Sequence, residues 1–405
     1  MADEVGSDRT HCGYFGRGVC RSCAEITLPY AEQCLRKGEH ARLSLSSLGA
    51  RCVGCEWEPV VASEVAGFRN RAKMVVSGTS DRPLLGILAE DLSGVDLGEC
   101  LICAQEIRAA FPALREFIGR AMIPPYDVSR RRGELKYVLV TLGADGALMV
   151  RFVLRSTEAE VRIRKHMSWL CSELPTLSVV SINLQPRHAA IIEGDRETIL
   201  LGDMLAMPTR RGPILLPPGA FFQTNTGVAE QLYETAAEWS HARGARCAVD
   251  LFCGVGGFAL HLGAVGFSAV RGVELHPAAV AAGRKSAALW GLETVSFEAG
   301  DATALGRSVG RVSGGPSRHQ DPARPKAGED VDLVVVNPPR RGLGPELVAA
   351  IDGSAASRVI YSSCNVDSLV RDLSQLSRFR VERARVFDMF PHTKHYELLV
   401  ALTRE

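Results

Sequence analysis

The chain has 405 residues, which at the usual domain size corresponds to roughly two or three domains. Apolar residues make up 46% and charged residues 23%, so a buried core is available and a wholly disordered chain is excluded. The formal net charge is only +1, so any surface that binds nucleic acid has to be local.

The sequence lacks the signals of an exported or membrane-spanning protein. No stretch approaches the ~18 consecutive apolar residues of a membrane span, and Met1–Val5 is acidic and polar. We therefore expect a cytoplasmic protein with no membrane partner and with reduced thiols. Six of the 12 cysteines fall between Cys12 and Cys55, and in a reducing compartment this clustering indicates metal binding or chemistry rather than cross-links.

Three regions differ in sequence pattern. Residues 1–58 form a Cys-, Gly- and Arg-rich lobe with weak periodicity. Residues 59–225 carry mostly strand-like runs with helical patterns near 104–121 and 158–173, which predicts a central α+β domain with an antiparallel sheet. The break at Ala144–Gly146 between two of these runs is typical of a hairpin.

Residues 226–405 alternate between helical and strand patterns, which predicts an α/β domain with a parallel, doubly wound sheet. The link between the last two predicted strands, 381–387 and 396–402, is too short for a crossover helix. The final strand should therefore run antiparallel to its predecessor. Residues 306–329 are rich in Pro and Gly, and we expect them to form a disordered surface insertion.

A glycine-rich turn indicates a cofactor site. The segment Asp250–Phe258 ends a predicted strand and opens a helix, where glycines let a ligand approach backbone N–H groups. Glu274 ends the next strand and could accept hydrogen bonds from ribose hydroxyls. Nicotinamide sites use a similar pattern, but Asp250 is unfavourable beside a pyrophosphate and suits a cationic sulfonium. Asn337-Pro338-Pro339 follows a further strand at the predicted switch-point crevice.

The residue after this motif is Arg340, where amino-methyltransferases carry an aromatic residue, so chemistry on an exocyclic nitrogen is disfavoured. Cys364 lies between a predicted strand and a helix, a position that favours a thiolate nucleophile; a buried structural cysteine is the alternative. A thiolate that adds to uracil C6 lets C5 attack a methyl sulfonium, after which a base must remove the C5 proton. The base candidates near the last strand are Glu397, His392 and His395, and a solvated Glu397 is the alternative.

With these residues in view, the sequence resembles the bacterial 23S rRNA uracil-C5 methyltransferases of the RlmC (RumB) type. The resemblance extends over nearly the whole chain after about residue 10. The matching segments are Phe68–Gly78, Gly133–Tyr137, Phe221–Asn225, Leu251–Gly257, Asn337–Gly342 and Ser362–Asn365.

The resemblance implies a Rossmann-like class I methyltransferase domain over residues 226–405 and RNA binding by residues 59–225. It implies that Cys364 is the nucleophile and Glu397 the proton acceptor. It also implies S-adenosylmethionine (SAM) as cofactor, contacted by Gln223, Phe252, Glu274 and Asn337. The substrate would be 23S rRNA, with a loop uracil flipped out to reach a monomeric enzyme.

The cysteines of the N-terminal lobe allow two interpretations. Cys20 and Cys23 could form a zinc ribbon with Cys52 and Cys55, although the spacing is longer than usual. The resemblance instead implies a [4Fe–4S] cluster held by Cys12, Cys20, Cys23 and Cys100, with Cys100 supplied by the central domain. Cys34, Cys52, Cys55 and Cys103 then have no assigned role.

RNA selection should fall to the lobe and the central domain, because the cysteines begin almost at residue 1 and leave no room for the oligonucleotide-binding barrel of some relatives. Arg130–Arg132 and the alternating Arg69, Arg71 and Lys73 could bind phosphates or form a solvated basic face. Phe221-Phe222 could stack on bases, although a core role is favoured. Two other functions stay open: the same chemistry on tRNA or another rRNA uracil, and a non-catalytic iron–sulfur RNA-binding assembly factor.

Overall fold

A computed structural model of the chain describes residues 10–189, 191–241, 244–303 and 331–405. Within these ranges the strands form an eight-stranded sheet, a seven-stranded sheet and a two-stranded ribbon. The predicted insertion at 306–329 lies outside the described residues. No helix in the described ranges is long and apolar enough to cross a membrane.

The elements follow the predicted alternation closely. The helices are α1 (Gly13–Gly16), α2 (Tyr30–Ser46), α3 (Gln105–Arg120), α4 (Glu160–Glu173), α5 (Thr226–His241), α6 (Gly257–Ala264), α7 (Pro277–Leu289), α8 (Pro345–Gly353) and α9 (Val366–Gln375). The first strands are β1 (Glu56–Trp57), β2 (Arg71–Gly78), β3 (Pro83–Leu88), β4 (Gly94–Asp96), β5 (Leu135–Leu142), β6 (Leu148–Leu154), β7 (Leu177–Leu184) and β8 (Arg196–Leu201). The others are β9 (Leu205–Met207), β10 (Ile214–Leu216), β11 (Cys247–Leu251), β12 (Ala269–Glu274), β13 (Val295–Ala299), β14 (Leu333–Val336), β15 (Arg358–Ser363), β16 (Phe379–Phe387) and β17 (Glu397–Arg404).

The seven-stranded sheet has the order β4-β3-β2-β5-β6-β7-β8 and packs one face on α3 and α4 around buried Phe111, Phe117 and Phe152. The predicted hairpin joins β5 to β6, with Asp145 in the left-handed region at φ 53°. The expectation of a purely antiparallel sheet is wrong at one pair, because β6 and β7 run parallel. Helix α4 between them provides the crossover that a parallel pair requires.

The eight-stranded sheet has the order β1-β16-β17-β15-β14-β11-β12-β13. Its strands β11 to β15 are parallel, and β17 runs antiparallel between β15 and β16, as the short link predicted. The chain proceeds from β11 outwards in both directions, so the carboxyl ends of β11 and β14 border the switch-point crevice where ligands of such sheets bind.

The described part of the N-terminal region contacts both sheets. Helix α2 buries Ala41 and Leu45 in the core that also holds Leu347 of α8 and Leu369 of α9. Strand β1 then adds to the edge of the eight-stranded sheet by pairing with β16. Cys20 and Cys23, by contrast, pack against the core of the seven-stranded sheet. The segment therefore bridges the two sheets.

Candidate active site

The turn after β11 exposes backbone at the switch point. Phe252 adopts φ 63°, which is uncommon for a residue with a side chain, and Gly254 adopts φ 55°. A Cβ on Gly254 would meet only the carbonyl oxygen of Phe221, at 4.0 Å, so the space in front of this glycine is open. At Gly256 a Cβ would lie 2.5 Å from the Phe297 ring. The space at Gly254 is therefore open, whereas Gly256 lies in close packing against Phe297.

Two carboxyl groups flank this turn. Glu274, at the end of β12, accepts hydrogen bonds from the Gly254 N–H to Oε2 (3.1 Å) and from the His276 N–H to Oε1 (3.0 Å). Asp250 is fully buried, and its Oδ2 accepts from the Ala259 N–H at 3.0 Å. Within the described chain, Asp250 Oδ1 has no hydrogen-bond partner. Burial, and secondarily Glu274, raises the pKa of Asp250 to about 8.

The other two predicted cofactor residues are Asn337 and Gln223, and the strand order places Asn337 at the crevice. Asn337 follows β14 directly and is half-buried. Gln223 is buried, and its backbone oxygen accepts a hydrogen bond from Asn70 Nδ2 at 2.9 Å, which ties this segment to the seven-stranded sheet. The two phenylalanines before Gln223 differ in burial. Phe222 lies in the core, as expected, whereas Phe221 is 63% exposed beside the Gly254 turn.

Cys364 lies between β15 and α9, half-buried at the carboxyl edge of the sheet. The next residue, Asn365, caps α9 through its side chain and donates Nδ2 to the Arg340 carbonyl oxygen at 2.9 Å. Burial raises the pKa of the Cys364 thiol, and the Glu397 charge raises it further, while the charge and a hydrogen bond of Arg340 lower it. The expected thiolate-favouring effect of the helix N-terminus is therefore outweighed in this structure.

Glu397 is the first residue of β17 and is 2% exposed. Ser362, on the adjacent β15, donates its hydroxyl to Glu397 Oε1 at 2.6 Å. Burial raises the pKa of Glu397 to about 7, and the Ser362 hydrogen bond opposes this shift. Burial raises the pKa of Tyr233, and the charges of Glu397 and Asp250 add to this, so the ring lies near both carboxyl groups.

The two histidines near Glu397 are placed differently. His392 is fully buried, with its Nε2 bonded to the Val65 carbonyl oxygen at 2.7 Å and its backbone N–H donated to Gln33 Oε1 at 2.8 Å. The His392 ring thus joins its own loop to the segment at Val65. His395 is exposed, and burial followed by the charges of Arg340, Lys394 and Lys37 lowers its pKa. Glu397 is the candidate base whose charge acts on the pKa of Cys364.

A second group of functional candidates surrounds a cavity of about 200 Å³ against the seven-stranded sheet. Its lining includes Cys12, Cys20, Cys23, Cys100 and Cys103. Burial raises the pKa of Cys23 to about 12, with Cys100, Cys20 and Cys12 adding to the shift, so these thiols lie near one another. In the described ranges, no three Cys, His, Asp or Glu side chains meet closely enough to hold a single metal ion.

The zinc-ribbon pairing has no support in this arrangement. Cys52 and Cys55 pack against the core of the eight-stranded sheet, whereas Cys20 and Cys23 pack against that of the seven-stranded sheet. The half-buried Cys34 lies 4.0 Å from Asp388 Oδ2, away from both groups.

The residues predicted to contact phosphates differ in exposure and in hydrogen bonding. Arg130, Arg131 and Arg132 are exposed, and so is Lys73 on β2. Arg71, however, donates its guanidinium to Thr141 Oγ1 (3.1 Å) and to the Ala220 carbonyl oxygen (3.3 Å). The prediction that Arg71 lies on a free basic face is wrong, because its guanidinium joins the seven-stranded sheet to the segment at Ala220.

Three residues near the site were not given a role from sequence. Arg340 lies near the Cys364 thiol, Ser362 donates a hydrogen bond to Glu397, and Tyr233 lies near both carboxyl groups. The sequence indicated Arg340 through its position directly after the motif Asn337-Pro338-Pro339. For Ser362 the only signal was its place two residues before Cys364.

Comparison with known proteins gives consistent results along the chain. The family described as tRNA (Uracil-5-)-methyltransferase matches residues 200–405. Proteins named 23S rRNA (uracil(747)-C(5))-methyltransferase RlmC match at 46% identity in Halothiobacillus neapolitanus, covering 97% of this chain and 99% of the relative, and at 42% in Edwardsiella ictaluri, with the same coverage.

A solved structure is similar over most of the chain. The Pyrococcus abyssi tRNA (uracil-54, C5)-methyltransferase in complex with S-adenosyl-L-homocysteine superimposes with a TM-score of 0.73 at 25% identity. The match covers 94% of this chain and 85% of that one.

Proposed function

The chain belongs to the tRNA (uracil-5-)-methyltransferase family, and we propose that it methylates C5 of a uracil in 23S rRNA with SAM as methyl donor. The observation that carries the proposal is the placement of Cys364 and Glu397 at one edge of the sheet, where Ser363 of β15 pairs with Leu398 of β17. Asn365 donates to the Arg340 carbonyl oxygen and so holds Arg340 at the same edge. C5 methylation of a pyrimidine requires a nucleophile and a base, which the Cys364 thiol and the Glu397 carboxyl group would supply.

The crevice fits SAM on two observations. The open space at Gly254 leaves backbone accessible to a ligand, and buried Asp250 Oδ1 has no partner in the described chain. An unpaired buried carboxylate oxygen is costly, so a cationic or hydrogen-bonding ligand group would stabilise it. Gln223, Phe252, Glu274 and Asn337 would hold the cofactor, and bound SAM would supply an electrophilic methyl group.

Cys364 would act as a covalent nucleophile. Its thiolate adds to C6 of uracil, and the C5=C6 π electrons move to C5 and the O4 carbonyl. C5 then forms a bond to the methyl carbon, and S-adenosylhomocysteine leaves with the electrons of the broken bond. Burial and the Glu397 charge disfavour the thiolate, and the Arg340 guanidinium acts in the opposite direction.

Glu397 would complete the reaction by removing the C5 proton. The electrons of that C–H bond restore C5=C6, and the C6–sulfur bond breaks to release Cys364. A pKa of about 7 suits a general base at neutral pH, since the carboxylate form is available and still basic. The Ser362 hydroxyl fixes one oxygen of the carboxyl group in position.

The cysteine cavity fits an iron–sulfur cluster better than a single ion. Cys12, Cys20, Cys23 and Cys100 surround one space of about 200 Å³ without converging on a point. A [4Fe–4S] cluster takes four thiolates distributed over its irons, whereas zinc needs all ligands at ~2.3 Å from one centre. Cys103 lines the same cavity, and the resemblance selects Cys12, Cys20, Cys23 and Cys100 as the four that would hold such a cluster, with a structural role.

The substrate would be a loop uracil turned out of its stack, because the target carbon is hidden between stacked bases. Exposed Phe221 lies beside the Gly254 turn and offers a ring on which a neighbouring base can stack. A monomeric, cytoplasmic enzyme is part of the same proposal.

The test is methyl transfer from labelled SAM to unmodified 23S rRNA and to unmodified tRNA, followed by mapping of 5-methyluridine. We expect one uridine of 23S rRNA to gain the label. Transfer to tRNA alone would replace the substrate, in line with the tRNA enzyme named for the similar structure. Binding of rRNA without any transfer would favour the non-catalytic assembly factor.

A further inference from the structure

A cavity of about 260 Å³ on the seven-stranded sheet has no part in the chemistry described above. It lies over β2, β3 and β5, and its walls include Tyr126, Tyr137 and His188. Lys136 and Tyr137 belong to the segment Gly133–Tyr137, a motif that the methyl-transfer mechanism leaves without a role. The volume is close to the lower end of small-ligand sites, which suits a ligand the size of a single base.

The polar part of the cavity is a buried lysine that hydrogen bonds hold in place. Lys136 is 5% exposed, and its ammonium donates to Gln185 Oε1 (2.9 Å) and to the Arg187 carbonyl oxygen (2.6 Å). It also lies 4.7 Å from the centroid of the Tyr126 ring. An ammonium has three N–H donors, so in the described chain one remains for a ligand acceptor in the cavity that Lys136 lines.

The aromatic part offers faces and edges for stacking. Tyr126 donates to or accepts from His188 Nδ1 at 2.9 Å, which fixes both rings at the cavity wall. Tyr137 is half-buried, with Lys73 over its ring at 5.8 Å. Rings next to cations are the combination on which proteins stack single-stranded bases.

The rim of the cavity carries positive charge. Val128 lines it and belongs to the same turn as exposed Arg130–Arg132, a turn closed by backbone hydrogen bonds between Asp127 and Arg132. Arg187, next to His188, is exposed as well. These guanidinium groups complement a phosphodiester backbone that enters the cavity from solvent.

The cavity is separate from the transfer site but connected to it along β2. Asn70, just before β2, bonds to the backbone of Gln223, and Val75 on the same strand lines the cavity. At ~3.4 Å per residue these two positions lie about 17 Å apart. An RNA strand could thus occupy both places at once.

We propose that this cavity binds one unpaired nucleobase of the RNA substrate, distinct from the methylated uracil, by stacking on Tyr137 and hydrogen bonding to Lys136. This inference rests on the proposed function in one respect, namely that the ligand is RNA. The base would set the register of the RNA so that the target uracil reaches Cys364.

The test measures dissociation constants, by fluorescence anisotropy, for an RNA fragment containing the target uracil and for a series with one abasic site at each other position. For the wild-type chain we expect one position to lose affinity by roughly 5- to 150-fold, the scale of stacking one base on an aromatic ring. The Tyr137→Ala variant should bind the intact fragment more weakly than the wild type does, by the same factor. Its affinity should not fall further when the sensitive position of the RNA is made abasic. Tyr137→Phe should retain the wild-type pattern.

His188→Ala provides a second variant at an exposed position, matched by His166→Ala on α4, on the other face of the sheet. We expect weaker binding only for His188→Ala. The inference is overturned if the abasic series affects Tyr137→Ala and the wild type equally, or if Tyr137→Ala fails to fold and His188→Ala binds normally. Wild-type methylation of the same fragment separately tests the proposed function, because binding and transfer are read independently.

Discussion

Cys364 and Cys23 are both half-buried thiols with raised pKa values, but their neighbours differ in kind. Burial comes first for both, and a guanidinium opposes it at both, Arg340 at Cys364 and Arg69 at Cys23. The difference is that a carboxyl group acts on Cys364, whereas three other thiols act on Cys23. A single thiol between a base and a cation is suited to a transient bond to carbon. Several thiols whose charges repel are suited to sharing a cationic centre that removes the repulsion.

The backbone around Cys364 is well packed, whereas the backbone around Cys23 is not. Cys364 lies between a fully buried strand, β15, and helix α9, whose N-terminus is capped by Asn365. Cys12, Cys20 and Cys23 lie around the four-residue helix α1, which buries none of its residues. The transfer site is thus held by the fold itself, whereas the cysteine segment has little packing of its own and depends on what its thiols bind.

The largest expected effect separates the two thiols by function. Cys364→Ser should lower methyl transfer by at least about 10⁴-fold, the scale on which loss of a nucleophile acts, and leave bound iron unchanged. Labelled SAM with unmodified 23S rRNA measures the rate. The control is Cys171→Ser, a half-buried thiol on α4 outside both regions.

The same variant tests the covalent step directly. In the presence of SAM, RNA with 5-fluorouridine at the target should form a permanent adduct with the wild-type chain, because the methylated C5 then carries fluorine, which cannot leave as a proton does. Cys364→Ser should form none on a denaturing gel. Methylation at the wild-type rate by Cys364→Ser, or an adduct mapped to another residue, would exclude Cys364 as the nucleophile.

Glu397→Gln should lower turnover by roughly 10²- to 10⁴-fold while the adduct with ordinary RNA still forms and accumulates, because only the proton-removal step is lost. Gel mobility of the protein–RNA species measures this. Glu346→Gln, at an exposed position on α8, is the matched control. Normal turnover in Glu397→Gln would assign the base to another group.

The pKa of Glu397 adds a pH dependence with a definite sign. A base acts in its deprotonated form, and burial raises the pKa of Glu397 to about 7. Breakdown of the preformed adduct should therefore accelerate about tenfold per pH unit below about 7 and level off above it. Rapid-quench measurement of adduct decay from pH 5.5 to 8.5 tests this, and Glu397→Gln should lack the rising limb.

The sequence predicted most of the element order because both sheets are built from β-branched and aliphatic runs separated by turns. It failed where polar residues are buried. Helix α2 buries Gln33 and Lys37, whose partners His392 and Asp388 lie in a loop near the other end of the chain. Such a helix shows weak apolar periodicity, since tertiary contacts rather than an apolar face place it.

The candidate site was predictable in its residues but not in its electrostatics. The positions of Cys364 and Glu397 at strand ends followed from pattern, and their roles from the resemblance. That burial and Glu397 oppose the thiolate, and that Arg340 lies near enough to favour it, depends on distances between separate strand ends. No spacing in the sequence encodes those distances.

The buried ion pair between Lys37 and Asp388 fixes α2, the helix that follows the cysteine segment, to the loop that leads into Glu397. The Nζ–Oδ1 distance is 2.7 Å and both side chains are at most 2% exposed. Lys37→Met leaves an unpaired buried carboxylate and should lower the free energy of unfolding by about 3–5 kcal/mol. Urea denaturation measures it, with exposed Lys165→Met as control.

A double variant, Lys37→Met with Asp388→Leu, distinguishes loss of the pair from loss of shape. Removing both charges should recover most of the stability, because the cost lies in the uncompensated carboxylate. A double variant as unstable as Lys37→Met alone would indicate that packing around α2, rather than charge, holds the loop.

The smallest expected effect on transfer comes from the cysteine cavity. Cys23→Ser should reduce bound iron from about four per chain to well below that in anaerobically purified protein, since one thiolate ligand is lost. The transfer rate per folded chain should change by less than about tenfold, because no group assigned to the chemistry lines this cavity. Cys52→Ser, on the other core, should keep its iron. Loss of transfer as complete as in Cys364→Ser, in a folded Cys23→Ser chain, would show that the two thiol regions are not separate in function.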